Sequence, residues 1–219
     1  MSKELLQDLW YDVQNKRQFQ ILALVAGLVV AGAAGWMLYS SHASRKTQEA
    51  HKAFTDGVSE FEAVLQRPAN SQNWSSVIEL FGAAHDRYNA SVFAPFMLAY
   101  KAQALSYNGE KEAALDTMTK ALAELDKQNP LYGFYATKLA LMKADSSDEA
   151  VKAEGLKELE NLANDVRNSA KDMATYYLGS HASSASDKEK ARSLWSTLIT
   201  QAGNDSVWAA MAQHQLSLL

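Results

Sequence analysis

An uncharged apolar stretch from Phe19 to Tyr39 constrains this chain more than any other feature of its sequence. It reads FQILALVAGLVVAGAAGWMLY and contains no charged side chain. A helix rises about 1.5 Å per residue, so about 20 residues cross the roughly 30 Å hydrocarbon core of a bilayer. Trp36 and Tyr39 stand at its end, where membrane helices place aromatic side chains at the interface. We therefore predict one transmembrane helix over residues 19–40.

A cleaved secretory signal peptide is the alternative interpretation of this stretch, because such peptides also place a short basic segment before an apolar run. The run is longer than the apolar core of an ordinary signal peptide, which has about 7–15 residues. Tyr39-Ser40-Ser41-His42, which ends it, matches a small-x-small cleavage site poorly. Both observations favour a retained anchor.

Small residues recur at every fourth position of the predicted anchor, at Ala23, Gly27, Ala31 and Gly35. Four-residue spacing keeps side chains nearly on one side of a helix, so they would form a face that another helix can approach closely. This pattern predicts a transmembrane packing face. The alternative is that alanine and glycine are common in membrane helices for any purpose.

Residues 1–18 form a polar leader in which apolar side chains recur at helical spacing, namely Leu5, Leu6, Leu9, Trp10 and Val13. The pattern predicts a short amphipathic helix lying on the membrane surface. Lys16 and Arg17 precede the anchor, but further basic residues follow it, so the count of flanking positive charges is nearly balanced. The adjacent Lys16-Arg17 pair favours a cytoplasmic N-terminus, with residues 41–219 on the far side.

Composition indicates that residues 41–219 form an all-α domain. The chain of 219 residues has only three prolines and ten glycines, and it is rich in residues that favour helices. It has no cysteine, which excludes disulfides, thiol catalysis and Cys-ligated metal sites. A net charge of −4 excludes a generally cationic surface for nucleic acid.

Helical hairpins recur in this domain at about 34 residues, the period of tetratricopeptide repeats. Periodicity predicts helices over Trp74 to Tyr88, Phe96 to Tyr107 and Lys111 to Leu125. The small and packing positions of one hairpin are Ala102, Gly109, Ala114, Met118 and Ala121. Another hairpin repeats the pattern with Leu178, Gly179, Ala191 and Trp195. We predict a tetratricopeptide-like solenoid of helical hairpins, ended by a C-terminal capping helix.

Local signals predict several helix starts and one buried face. Asn129-Pro130 places proline where a first helical turn accepts it. The capping boxes Ser146-x-x-Glu149 and Ser186-x-x-Glu189 predict two further starts. An apolar stripe of the last helix is predicted to face the stack, and it comprises Val207, Met211, Leu216 and Leu218.

Two segments carry a resemblance to a known family. One is the anchor exit, Gly35-Trp36-x-x-Tyr39-x-Ser41-His42, followed by Ala50, Phe54 and Val58. The other is Asp187-Lys188-x-x-Ala191-Arg192-x-x-Trp195. Over nearly its full length the chain resembles the YfgM-like family of single-span bacterial inner-membrane tetratricopeptide proteins. The resemblance implies an ancillary subunit of the SecYEG translocon that pairs with a PpiD-like membrane-anchored chaperone. It also implies a cytoplasmic N-terminus and a repeat domain in the periplasm.

Catalytic and metal-binding patterns are absent from the sequence. The five histidines show no paired-ligand spacing, and there is no phosphate loop, nucleophile elbow or dinucleotide fingerprint. We therefore predict no enzymatic activity, no cofactor, no metal and no small-molecule substrate. Acidic residues concentrate between Asp148 and Glu160, but lysines interleave with them, so we interpret that helix face as solvated.

Stacked hairpins present a concave face built by their first helices, which suits an extended or helical peptide. Tyrosines provide contact area with few rotors to immobilise. The candidate partner-binding residues are Tyr100, Gln103, Tyr107, Tyr135, Lys138, Tyr176 and Tyr177; the alternative is that several of the tyrosines belong to the core. We expect a protein-protein interaction module, and the resemblance implies that it assists secreted or envelope proteins. The alternative function is a membrane-tethered scaffold for another envelope or signalling assembly.

Overall fold

Helices make up the regular structure of the residues that the structure describes. The computed structural model describes residues 45–68, 71–203 and 206–219, and within them it has nine α-helices and no strand. In chain order the helices are α1 (45–65), α2 (Ser75–Tyr88), α3 (Ala94–Tyr107), α4 (Lys111–Glu124), α5 (Tyr132–Ala144), α6 (Glu149–Asn164), α7 (Lys171–Ser184), α8 (Lys188–Gln201) and α9 (Val207–Leu216). This confirms the predicted all-α class for the described residues.

Successive helices pair as helical hairpins, and each hairpin packs on the next one in the chain. Helix α3 packs on α4, α5 on α6 and α7 on α8, while α4 contacts α5 and α6 contacts α7. Apolar clusters lie between neighbouring helices along the whole stack, as in an array whose units contact only their neighbours. Ala50–Leu219 forms one compact unit. The predicted arrangement of helical hairpins is confirmed.

Small side chains allow the two helices of each hairpin to cross closely. Ala102 of α3 and Met118 of α4 belong to one apolar cluster, and both are fully buried, as is Ala114 of α4. Gly109 closes the turn between these helices with a φ of 85°, a conformation that glycine adopts without strain. In a later hairpin, the indole of Trp195 lies directly against Gly179. These packing positions agree with the sequence prediction.

Aspartates, rather than the predicted serines, cap two helices. Asp148 accepts hydrogen bonds from the backbone N–H of Ala150 and Val151 at the start of α6, and Asp187 accepts one from Lys190 at the start of α8. Both capping-box predictions were therefore wrong. For α8 the reason is the preceding turn: Ser186 has a φ of 65° and is part of the loop, so Asp187 is the N-cap and the helix begins at Lys188.

The cap at Asp148 gives a first testable expectation. Asp148→Ala removes the acceptor for two backbone N–H groups, so we expect the free energy of unfolding to fall by about 1 kcal/mol. Ser146→Ala is the matched control, because its hydroxyl accepts only the N–H of Asp148 within the turn. Urea unfolding followed by circular dichroism measures both. Equal losses in the two variants would contradict the assignment of the cap.

Two other local predictions also differ from the structure. Pro130 lies in the turn before α5, where Tyr132 N–H donates to the carbonyl of Asn129, and it is not part of the first helical turn. The predicted apolar stripe of α9 was wrong for Val207, Met211 and Leu218, which are 60%, 40% and 68% exposed. Leu216 packs on the stack as predicted, together with Trp208 and Ala212. Helix α9 contacts both α7 and α8. These contacts bury the face of α9 that carries Trp208 and Ala212.

The predicted anchor lies outside the described residues. So do the leader 1–18 and the small-residue face of Ala23, Gly27, Ala31 and Gly35, and all of these stay predictions. Among the helices that the structure describes from residue 45 onward, none has the length and apolar character needed to cross a bilayer.

Candidate functional site

An open groove of about 520 Å³ runs beside the first helices of three successive hairpins, α3, α5 and α7. Helix α4 reaches it through one side chain. The lining residues are Gln103, Ser106, Tyr107, Met118, Lys138, Leu141, Met142, Asp145, Met173 and Tyr177. We call this surface the α3/α5/α7 groove. Its lining is mostly apolar and aromatic, with one lysine and one aspartate as the charged side chains.

Helix α3 contributes the wall that contains Gln103 and Tyr107, which lie on one side of the helix because they are four residues apart. The Tyr107 ring stacks on Trp74, with ring centroids 4.7 Å apart and planes 18° apart. Its side chain nevertheless remains 56% exposed. Stacking therefore holds this ring in place while one part of it faces the groove.

Lys138 of α5 provides the basic side chain of the groove lining. Its Nζ donates a hydrogen bond of 2.7 Å to Oε1 of Gln103, and it lies 4.8 Å from the centre of the Phe134 ring. Burial lowers the pKa of the Lys138 ammonium, because desolvation disfavours the charged form. Both contacts are to neutral groups, so the positive charge faces the groove without a compensating carboxylate from them.

Helix α7 completes the groove with Tyr177 and Met173. The Tyr177 ring lies 5.3 Å from Tyr176 and 5.7 Å from Trp208. Its pKa is raised, first by burial and then by the nearby Tyr176 and Tyr107 hydroxyls. Tyr107 of α3 and Tyr177 of α7 line the same groove, so one ligand segment can contact both walls.

Asp145 is the acidic member of the lining, but its charge is already compensated. A carboxylate oxygen of Asp145 lies 2.7 Å from Nζ of Lys111 at the start of α4. This hydrogen bond raises the pKa of Lys111. The pair also ties the end of α5 to the preceding hairpin.

The structure brings together four of the seven predicted binding residues: Gln103, Tyr107, Lys138 and Tyr177. The other three pack in the core to different degrees. Tyr135 and Tyr176 are 8% and 6% exposed, and burial, with a smaller effect of Tyr100, raises the pKa of Tyr135 to about 12. Tyr100 is half-buried, with its ring 5.2–5.6 Å from those of Phe54, Phe61 and Phe81. For these three tyrosines, the structure agrees with the alternative interpretation that they belong to the core.

Sequence reasoning missed the apolar floor of the groove. Leu141, Met142 and Met173 line it beside the predicted residues. A signal existed, because Met142 follows Lys138 by four residues and Met173 precedes Tyr177 by four, which places each pair on one helix face. Methionine is a flexible and polarisable side chain that adapts to varied partners.

Several charged side chains outside the groove form ion pairs between helices. In the described ranges, no group of three or more acidic or histidine side chains is arranged to hold a metal ion. The acidic face of α6 is largely paired with lysines: Lys143 contacts Glu154 and Glu158 at 3.0 and 2.7 Å, and Lys190 contacts Glu160 at 3.2 Å. These contacts bind α6 to its neighbours.

Comparisons of the chain with protein-family models, curated proteins and solved structures found no match. The resemblance to the YfgM-like family accordingly stays an expectation.

Proposed function

We propose that this chain is a membrane-anchored module that binds segments of other proteins in the α3/α5/α7 groove. The observation that carries the proposal is the convergence of aromatic, methionine and single polar side chains from three successive hairpins on one open groove. Aromatic anchors surrounded by adaptable apolar contacts are typical of protein-binding surfaces.

The shape of the groove favours a polypeptide over a small metabolite. Small-molecule sites are generally concave pockets that enclose most of the ligand. Here the lining follows three helices of the stack, so a bound segment can lie across several hairpins and contact each of them. The fixed rings of Tyr107 and Tyr177 provide contact area that is already ordered before binding.

The identity of the partners rests on the resemblance. We propose a tetratricopeptide-like repeat domain on the periplasmic side, held at the bacterial inner membrane by residues 19–40. Its partners would be the SecYEG translocon and a PpiD-like chaperone, and its role would be to assist the handling of secreted or envelope proteins. The helical-hairpin stack is compatible with that role because such stacks act through extended binding surfaces.

Removing the two ordered rings tests this function. We expect Tyr107→Ser combined with Tyr177→Ser to lower recovery of translocon subunits about tenfold or more, because central aromatic contacts dominate binding energy at such surfaces. The measurement is quantitative co-purification of the full chain from gently solubilised membranes, at equal expression of each variant.

Tyr132→Ser is the matched control, since Tyr132 is a half-buried tyrosine of α5 that does not line the groove. Circular dichroism should show equal helix content in all variants. Unchanged recovery of translocon subunits by the double variant would show that this groove is not the binding surface. Recovery of an unrelated envelope assembly would instead favour the scaffold function.

A further inference from the structure

Lys138 differs from three lysines that link helices of the stack through carboxylates. Lys143 lies on the same helix; burial alone would lower its pKa, but the hydrogen bonds that its ammonium donates to Glu158 and Glu154 raise it. Lys111 and Lys190 also contact carboxylates, at 2.7 and 3.2 Å. Within the described part of the chain, no carboxylate forms an ion pair with Lys138, whose contacts are the Gln103 amide and the Phe134 ring.

The hydrogen-bonding capacity of Lys138 is only partly used. An ammonium has three N–H donors, and Gln103 accepts one of them. The Gln103 amide is held in this orientation because its Nε2 donates to the carbonyl of Ala99 at 3.3 Å. Gln103 therefore presents an oxygen to the lysine, and the fixed ammonium retains donors for a ligand in the groove.

The only other charge in the groove lining does not compete for this ammonium. Asp145 is bound to Lys111 on the exposed side of α5. The rest of the lining is neutral, with Tyr107 on one side of Lys138 along the stack and Met173 and Tyr177 on the other. A partner that supplies one negative charge at Lys138, flanked by apolar side chains, would complement this pattern.

We propose that Lys138 binds the side-chain carboxylate of a glutamate or aspartate within the protein segment that occupies the α3/α5/α7 groove. This inference rests on the proposed function. A side chain within the segment is favoured over a C-terminal carboxylate because the lining continues on both sides of Lys138, from α3 to α7. The segment can therefore pass Lys138 and contact both walls.

A carboxylate at this position gains a charge-assisted hydrogen bond. Such bonds are roughly twice as strong as neutral ones, and the half-buried ammonium is less screened by solvent than an exposed one. Replacing the ligand glutamate by glutamine keeps shape and hydrogen-bonding atoms but removes the charge. We expect about a tenfold loss of affinity from that single replacement.

The test uses the full chain in lipid nanodiscs and two phage-displayed libraries of random twelve-residue peptides. In one library the peptide's C-terminus is fused to the coat protein, so only side chains carry carboxylates; in the other the C-terminus is free. A selected peptide is counted as groove-binding when it binds the Tyr107→Ser, Tyr177→Ser double variant more weakly than it binds wild type. Synthetic glutamate and glutamine versions of each are then titrated against wild type and Lys138→Met.

The expected result is selection of acidic peptides from the fused library, with about a tenfold preference for glutamate over glutamine on wild type. That preference should shrink to less than about twofold on Lys138→Met and persist on Lys127→Met, an exposed lysine outside the groove. Groove-binding peptides without this preference would overturn the carboxylate inference and leave the proposed function standing. Selection only from the free-terminus library would overturn the choice of a side chain.

Absence of any groove-dependent peptide from both libraries would overturn the proposed function itself, and the inference with it. Thermal unfolding followed by circular dichroism is the control that tests whether Lys138→Met is folded. Lys138→Gln serves as a second variant that removes the charge while keeping a polar end group. Lys138→Arg should retain most of the glutamate preference, which distinguishes a charge contact from general packing.

Discussion

Trp195→Ala is expected to lower the free energy of unfolding by about 3–5 kcal/mol, the range for removing a fully buried large aromatic side chain. Trp195 is 1% exposed and lies at the centre of the apolar cluster between α7, α8 and α9. Its indole N–H donates a 3.1 Å hydrogen bond to the carbonyl of Tyr176. The variant therefore leaves a cavity and also removes one of the donors to this carbonyl, which Ser180 Oγ contacts as well.

Urea unfolding of the full chain in detergent, followed by circular dichroism, measures the loss. Val207→Ala is the control, because Val207 is a mostly exposed apolar residue of α9 and its truncation should change stability by less than about 0.5 kcal/mol. A loss under about 1 kcal/mol for Trp195→Ala would mean that the cluster collapses around the cavity, contrary to the tight contact with Gly179.

The same variant should also weaken partner binding. Trp195 supports α7 at Tyr176, and the adjacent Tyr177 lines the groove. Loosening this part of the stack is expected to reduce the order of the α7 wall, although Trp195 itself does not line the groove.

Gly155→Ala is expected to destabilise the chain by about 2–3 kcal/mol, as overpacking of a close helix crossing does. A Cβ at this position would lie 2.6 Å from Lys143 Cβ and 2.7 Å from the carbonyl oxygen of Ala140, and it would also overlap the Ala144 backbone nitrogen. Two of these atoms belong to the backbone of α5, so no side-chain rotation relieves the contact. Helices α5 and α6 would have to separate.

Gly203→Ala is the matched control, since no atom outside its immediate neighbours lies within 4 Å of an added Cβ. The Gly203→Ala variant should be neutral or more stable by about 0.4–1 kcal/mol, because alanine reduces the conformational entropy of the unfolded chain. Helix propensity alone favours alanine over glycine within α6 by about 1 kcal/mol. Stabilisation by Gly155→Ala would therefore show that propensity outweighs packing here and that the α5–α6 contact is looser than described.

Gly155 also bears on the candidate site, because α5 carries Lys138 and Met142. Helix α6 approaches α5 closely at Ala140, Lys143 and Ala144, and this contact fixes the position of α5. We therefore expect any shift in Gly155→Ala to alter the spacing between Lys138 and the α3 wall.

The positions of the helices follow from periodicity in the sequence. Predicted bounds such as Trp74 to Tyr88 and Lys111 to Leu125 agree with Ser75–Tyr88 and Lys111–Glu124 to within a residue at each end. Apolar spacing of three and four residues is a local property, and Asn108-Gly109 interrupts it with a turn. Helix starts were less predictable, because serine and aspartate both cap helices and stood close together at Asp148 and Asp187.

The composition of the candidate site was only partly predictable. Of the predicted partner-binding residues, Gln103, Tyr107, Lys138 and Tyr177 line the groove, whereas Tyr135 and Tyr176 are buried and Tyr100 is half-buried outside it. A tyrosine has an apolar ring and a polar hydroxyl, so its type does not reveal whether it packs in the core or faces a partner. Neighbouring helices decide that, as Phe96 does for Tyr135 and Trp195 and Trp208 do for Tyr176.

By itself the sequence determined the all-α class, the hairpin order and the small residues at the crossings, since each depends on residues close together in the chain. Only the tertiary structure decided which face of α9 is buried, that Gly155 must lack a side chain, and that Lys138 meets a glutamine rather than a carboxylate. These outcomes depend on how far apart two helices settle and how each is rotated about its axis. That geometry results from packing among residues distant in the chain, and no local pattern specifies it.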